Sequence, residues 1–258
     1  MKPIRFVSWI LVGGILFIFP LSGVGSDNQG GKEVPLVSET PRGKTVIPPL
    51  TDDPQKKSTT PVSMPVYKPP LRGAPGGRIG GGTRGLKDAI TLFVLAPNHV
   101  GLTVREQPTL YWYLSKPTSY RIIIKIIENQ TQSPILEKQS YLPALPGVQP
   151  IRLADCNVHL SPHTEYRWSV TAVPDPDDRS RDIRAGGLIE RIEVPESLRS
   201  KLAQAEKREI PQIYAEAGIW YDALMAISDL IDATPGDTVL RKQRSGLLEQ
   251  VGLSEVAE

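Results

Sequence analysis

Residues able to do chemistry are few in this 258-residue chain, which holds one cysteine and three histidines. Cys156, His159 and His163 fall within the run Cys156-Asn-Val-His-Leu-Ser-Pro-His163, three side chains of metal-ligating type. Pro162 interrupts any helical i, i+4 pairing of the two histidines, and the only further ligand close by is Asp155. The run is therefore expected to be structural, with no metal. A second cluster, Pro174-Asp-Pro-Asp-Asp-Arg-Ser-Arg-Asp182, gathers acids and arginines. Asp175, Asp177 and Asp178 are of calcium-ligating type, but the twelve-residue loop with its central glycine and terminal glutamate is missing. This stretch reads as a solvated loop with internal ion pairs, offering Asp175, Asp177 and Arg179 to a partner. Gly80, Gly82 and Gly85 satisfy G-x-G-x-x-G. A dinucleotide fingerprint needs a strand before it and a helix after it, so that the helix N-terminus meets the pyrophosphate. Here a proline tract precedes the glycines and a strand-like segment follows, and the Gly-Lys-Ser/Thr ending of a phosphate loop is absent. Nucleotide binding is excluded, leaving Arg78 and Arg84 as candidate contacts to an anion or to a partner's carbonyls. With no Gly-x-Ser-x-Gly elbow either, the expectation is no catalytic residue, no cofactor and no enzyme.

The elements that must position these residues change character along the chain. From Leu86 onward, short β-rich segments are separated by turn residues at intervals suited to an antiparallel sandwich. Seven strands are predicted: Ile90–Leu95, Pro108–Ser115, Tyr120–Ile127, Pro134–Tyr141, Gln149–Leu153, Glu165–Val173 and Leu188–Val194. Alternation places Leu110, Trp112 and Leu114 on one face and Tyr111 and Tyr113 on the other, an aromatic pair available to a ligand. It likewise places Tyr120, Ile122, Ile124 and Ile126 opposite Arg121 and Lys125. The stretch Leu160–Tyr166 with Trp168 is similar to the tyrosine corner of fibronectin-type sandwiches, where a Tyr hydroxyl bonds upstream backbone. The expected architecture over 87–194 is thus an immunoglobulin or fibronectin type III-like antiparallel β-sandwich.

Beyond Pro195 the period becomes helical. Ser197–Arg208 is weakly amphipathic. Ile213, Ala217, Trp220, Leu224, Ile227 and Ile231 form one continuous apolar stripe, predicting a single helix from Pro211 to Thr234, ended by Pro235. Asp237 is placed to cap a last helix carrying Leu240, Leu247, Leu248 and Val251. Gly218, Ala223 and Pro235 give the stretch a resemblance to part of a tetratricopeptide repeat. One repeat cannot build a solenoid, so a short helical bundle over 195–258 is expected, packed on the sandwich.

Ahead of these elements, Lys2 and Arg5 precede an uncharged apolar run from Phe6 to Leu21, followed by Gly23 and Gly25. That is the layout of a signal peptide covering 1–25, too short to span a bilayer comfortably. It predicts an exported chain, periplasmic or extracellular, with no transmembrane segment after cleavage. Residues 26–86 hold ten prolines and ten glycines and are expected to be a disordered spacer, because isolated apolar residues cannot offset the entropy of ordering. The formal charge of +2 gives no general drive toward nucleic acid.

Several longer motifs occur in order: Gly-Gly-Gly-Thr-Arg-Gly85, Ala96-Pro-Asn-His-Val-Gly-Leu-Thr103, Gln107-Pro-Thr-Leu-Tyr-Trp-Tyr-Leu-Ser115, Ile151-Arg-Leu-Ala-Asp155, Val173-Pro-Asp-Pro, Glu190-Arg-Ile-Glu193 and Tyr214-Ala-Glu-Ala-Gly-Ile-Trp-Tyr-Asp-Ala-Leu224. Together they resemble a bacterial family of exported proteins known as domain of unknown function 928, over roughly residues 73–253. That resemblance implies export and carries over no catalytic residue. The function expected is a non-enzymatic protein-interaction or structural module of the cell envelope, bound to an envelope protein or glycan. The alternative is a carbohydrate- or small-ligand-binding envelope protein. The oligomeric state is left open.

Overall fold

A computed structural model describes residues 63–70, 78, 81–82 and 90–256. The expected signal peptide, most of the expected spacer and Arg84 lie outside these residues.

Among the described residues nine strands form two sheets. They are β1 (Gly81–Gly82), β2 (Thr91–Val94), β3 (Gly101–Thr103), β4 (Thr109–Leu114), β5 (Arg121–Glu128), β6 (Pro134–Ser140), β7 (Gly147–Arg152), β8 (Thr164–Val173) and β9 (Ile183–Arg191). One sheet has the order β1-β2-β4-β7 and the other β3-β9-β8-β5-β6. All seven predicted strands are present, and β1 and β3 are additional. The pairing of β3 with β9 is parallel, a departure from the all-antiparallel expectation. Leu92, Leu110, Leu114, Ile126, Trp168 and Ile189, drawn from both sheets, belong to one buried cluster. Near the start of β8, the hydroxyl of Tyr166 accepts the Ser161 N–H at 3.0 Å, as the corner motif predicts.

Four α-helices follow among the described residues: α1 (Glu196–Gln204), α2 (Ile210–Glu216), α3 (Trp220–Ala233) and α4 (Thr238–Gln250). The single helix expected from Pro211 to Thr234 is therefore two. Its apolar stripe is real, but Gly218 sits at φ +74° and stops α2, with the Ile219 N–H reaching back to the Tyr214 carbonyl at 2.9 Å. A left-handed glycine closed by such a bond is a helix C-terminus, which apolar periodicity alone does not reveal. The α3 boundary before Pro235 and the Asp237 cap on the Val239 and Leu240 amides agree with expectation.

Three consecutive residues at the start of α3 dock the helices onto the sheets. The Trp220 indole N–H donates to the Leu95 carbonyl at 2.8 Å. Tyr221 donates its hydroxyl to the Leu188 carbonyl and accepts the Trp168 indole N–H, both at 2.9 Å. Asp222, fully buried, accepts from the Thr103 hydroxyl at 2.7 Å and the Val104 N–H at 3.2 Å and pairs with Arg105 at 3.2 Å. Burial pushes the Asp222 carboxyl up, opposed by Thr103, Arg105 and the Val104 amide.

The spacer expectation does not hold for Ser63–Pro70. This extended segment lies along α4, whose Gln243 and Gln250 stand seven residues apart on one helix face. Gln243 donates to the Ser63 carbonyl at 2.9 Å, and Gln250 donates to the Pro65 carbonyl at 3.0 Å while accepting the Tyr67 N–H at 2.8 Å. Tyr67 is buried edge-on against Trp220, ring centroids 5.0 Å apart, with its hydroxyl 2.9 Å from His99 Nε2. Composition failed here because one aromatic anchor and a few backbone bonds suffice to hold a short proline-rich segment whose conformation is already extended.

Candidate functional site

The residues singled out from the sequence are not brought together. Arg78 is spent internally, donating to the carbonyls of Ala96, Val251 and Gly252 at 3.3, 2.9 and 3.1 Å. Tyr111 was expected on an open face, yet it is buried because α3 covers that side of β4. Burial, with Asp229 nearby, pushes its hydroxyl up to about 12. Tyr113 is half-buried against the core. An aromatic platform of the two tyrosines is therefore not formed. The 174–182 loop closes on itself as expected, through Arg179–Asp182 at 2.6 Å and Arg181–Asp175 at 3.8 Å, with the Asp177 N–H on Asp175 at 3.0 Å. His159 lies against Glu106 at 3.1 Å, His163 holds a φ of +54° at the entry to β8, and Cys156 is a free thiol. Among the described residues no group of three or more His, Cys, Asp or Glu is arranged to hold a metal ion.

A site that the sequence did not announce occupies the outer face of the five-stranded sheet. A groove of about 480 Å³ is lined by the outward residues of β5, β6, β8 and β9 and by Arg179 of the acidic loop. Register explains who meets whom. Ile123 lies opposite Thr171, which lies opposite Arg184. Lys125 lies opposite Ser169, which lies opposite Gly186. Ile127 lies opposite Arg167. Directly opposed residues share a face, so the small pair Ser169 and Gly186 leaves a depression that longer side chains surround.

The groove is strongly basic. Arg121, Lys125, Arg167, Arg179 and Arg184 line it, against the single carboxylate Glu137. Glu137 is paired with Lys125 at 3.2 Å, and Arg179 with Asp182. The remaining three cations face no carboxylate among the described residues. The Arg184 Nε–H rests on the Thr171 hydroxyl at 3.2 Å, and Arg167 donates to the Asn129 side-chain oxygen at 3.1 Å. Arg121 stacks over the exposed Tyr141 ring at 5.9 Å, and its buried Nε has no hydrogen-bond partner among the described residues. Guanidinium groups carry fixed forks of donors and no acceptor, so this arrangement suits carboxylate or phosphate oxygens.

Alternation places Arg121 and Lys125 opposite the apolar face, which the sequence does reveal, whereas Arg184 lies ahead of the strand predicted at Leu188–Val194 and gains its place only because β9 runs from Ile183 to Arg191. Their convergence depends on the strand order β9-β8-β5, which the sequence does not reveal.

A comparison with curated proteins finds no match. Among solved structures, a multi-domain immunophilin from Arabidopsis thaliana aligns at 11% identity over 60% of this chain and 92% of that one, with a TM-score of 0.14, too slight a likeness to argue from. The family described as Domain of Unknown Function (DUF928) matches residues 79–258, well over half of the sequence and including every strand and helix of the described residues and the whole basic groove, and the chain belongs to that family.

Proposed function

We propose that this protein is an exported, non-enzymatic binding module of the bacterial cell envelope whose basic groove receives an anionic partner. The observation that carries this reading is the groove itself, five cations against one paired carboxylate on a concave sheet face. Its volume lies within the ~300–1,000 Å³ typical of ligand clefts. The lining contains no histidine or cysteine and no two carboxylates facing one another, so it offers binding without an acid–base pair. We further read the two sheets as an immunoglobulin or fibronectin type III-like sandwich, supported by the Tyr166 corner, and the helices as a tetratricopeptide-like appendage. The Lys2–Gly25 layout supports export, and recovery of the protein outside the cytoplasm is the measurement that tests it.

Thermal unfolding in the presence of citrate or tripolyphosphate tests the binding role. Both anions should raise the midpoint of the native protein, and the Arg167→Glu/Arg184→Glu variant should not respond. An equal rise in that variant, or none in the native protein, would contradict the reading.

A further inference from the structure

Resting on that anion-binding role, we infer that the groove's ligand is a linear acidic polysaccharide, held at several carboxylates at once. The argument begins with spacing. Arg121 lies at the start of β5, and Arg167 faces Ile127 six residues further along. At ~3.3 Å per residue these two cations stand roughly 20 Å apart along the strands. Lys125 and Arg184 fall between them, in successive rows and on strands two places apart. With neighbouring strands ~4.8 Å apart, they are displaced about 10 Å across the sheet. A single small anion reaches one or two of these charges. An extended chain with repeating carboxylates reaches all of them.

The chemistry of the surface then separates a glycan from a peptide. Strands β5 and β8, which run down the middle of the groove, are each paired on both sides. Their backbone groups are consumed in the sheet, so a peptide laid over Arg121, Lys125 and Arg167 finds no edge for strand addition, and the unpaired edge of β6 lies to one side of that path. What the groove presents is mainly donors: its one carboxylate, Glu137, already faces Lys125, the Thr171 hydroxyl already accepts from Arg184, and the Gln139 side-chain oxygen already accepts from Tyr141. An acidic peptide laid here brings a row of N–H groups for which the groove has few acceptors. A uronate chain brings carboxylates, ring oxygens and hydroxyls that can all accept. Arginine forks match the planar carboxylate with two parallel bonds. Arg121, which lines the groove and faces no carboxylate among the described residues, stands at one end of the path.

The test is isothermal titration of the purified protein with polygalacturonate, monomeric galacturonate, poly-glutamate, neutral dextran and single-stranded DNA. Polygalacturonate should bind at least 100-fold more tightly per chain than the monomer, because additional contacts become intramolecular once the first is made. Binding should weaken as salt rises. Arg121→Glu/Arg167→Glu, altering the two ends of the path, should weaken polymer binding by more than tenfold. Arg199→Glu on the exposed face of α1 should leave it unchanged, and a retained unfolding midpoint shows that each variant is folded. Equal affinity for monomer and polymer, tighter binding of poly-glutamate or DNA, or indifference to the end substitutions would overturn the inference while leaving the anion-binding role standing. Silence toward every anionic probe, including citrate and tripolyphosphate, would remove both.

Discussion

Replacing Tyr67 by alanine probes how far the folded unit extends ahead of the family match, which begins at residue 79. The Tyr67 side chain is 7% exposed and fills space beside Trp220 and His99. Truncating a buried aromatic side chain to alanine costs ~3–5 kcal/mol. The segment can partly detach while Gln250 and the Ala215 carbonyl still hold the backbone at Tyr67 and Lys68, so the lower end, about 3 kcal/mol, is expected. Tyr67→Phe keeps the ring and loses only the hydroxyl's bond to His99, a cost of about 1 kcal/mol. Urea unfolding followed by tryptophan fluorescence, to which Trp112, Trp168 and Trp220 contribute, measures both. With an m-value of ~2–3 kcal/mol/M, the alanine variant's midpoint should fall by roughly 1–1.5 M. A loss below about 0.5 kcal/mol, the scale of ordinary surface changes, would mean that Ser63–Pro70 is not part of the fold. A chain starting at residue 79 should lose at least as much as Tyr67→Ala.

Other consequences are as direct. Asp222→Ala leaves the Thr103 hydroxyl and Val104 amide without their acceptor and should cost about 3 kcal/mol in the same assay, whereas a loss under 1 kcal/mol would show that α3 is docked by its aromatics alone. A Cβ on Gly187 would stand 2.6 Å from that of Ala96 and 3.3 Å from the Trp168 indole nitrogen, so Gly187→Ala should destabilise by roughly 1–3 kcal/mol through overpacking, and an unchanged midpoint would refute the close fit. Burial holds His99 below the ordinary histidine range. The unfolded chain then takes up the proton first, so this contribution to stability is complete above pH ~6.5 and is lost as pH falls through and below that value. His99→Gln should flatten that part of the stability–pH curve, and an identical curve would show that His99 does not report the Tyr67 pocket.

Strand positions were legible because β4, β5 and β8 alternate cleanly and turn residues bound them. The Asp237 cap, the Pro235 stop and the Tyr166 corner were legible because each is a local signal with one physical cause. What escaped the sequence was non-local. The outward arginines of β5, β8 and β9 are scattered over more than sixty residues, and only the strand order makes them neighbours. Tyr111 looked open because alternation describes one sheet and says nothing of the helix laid on its far side. Gly218 looked like an interior position of one helix because the apolar stripe continues through it. Gln243 reads as an ordinary polar residue on α4, and its burial follows only from the segment that crosses it. Arg78 looked free among glycines until the carbonyls of Ala96, Val251 and Gly252 were found converging on it.

Amide chemical-shift mapping during titration with polygalacturonate tests the central claim most directly, because it reports where the anion sits as well as whether it binds. Saturable shifts should concentrate at Ser169, Thr171, Arg184 and Gly186, fading in Arg167→Glu/Arg184→Glu. Shifts confined to α2–α4 and the Tyr67 segment, or a titration that moves none of the groove amides, would contradict it.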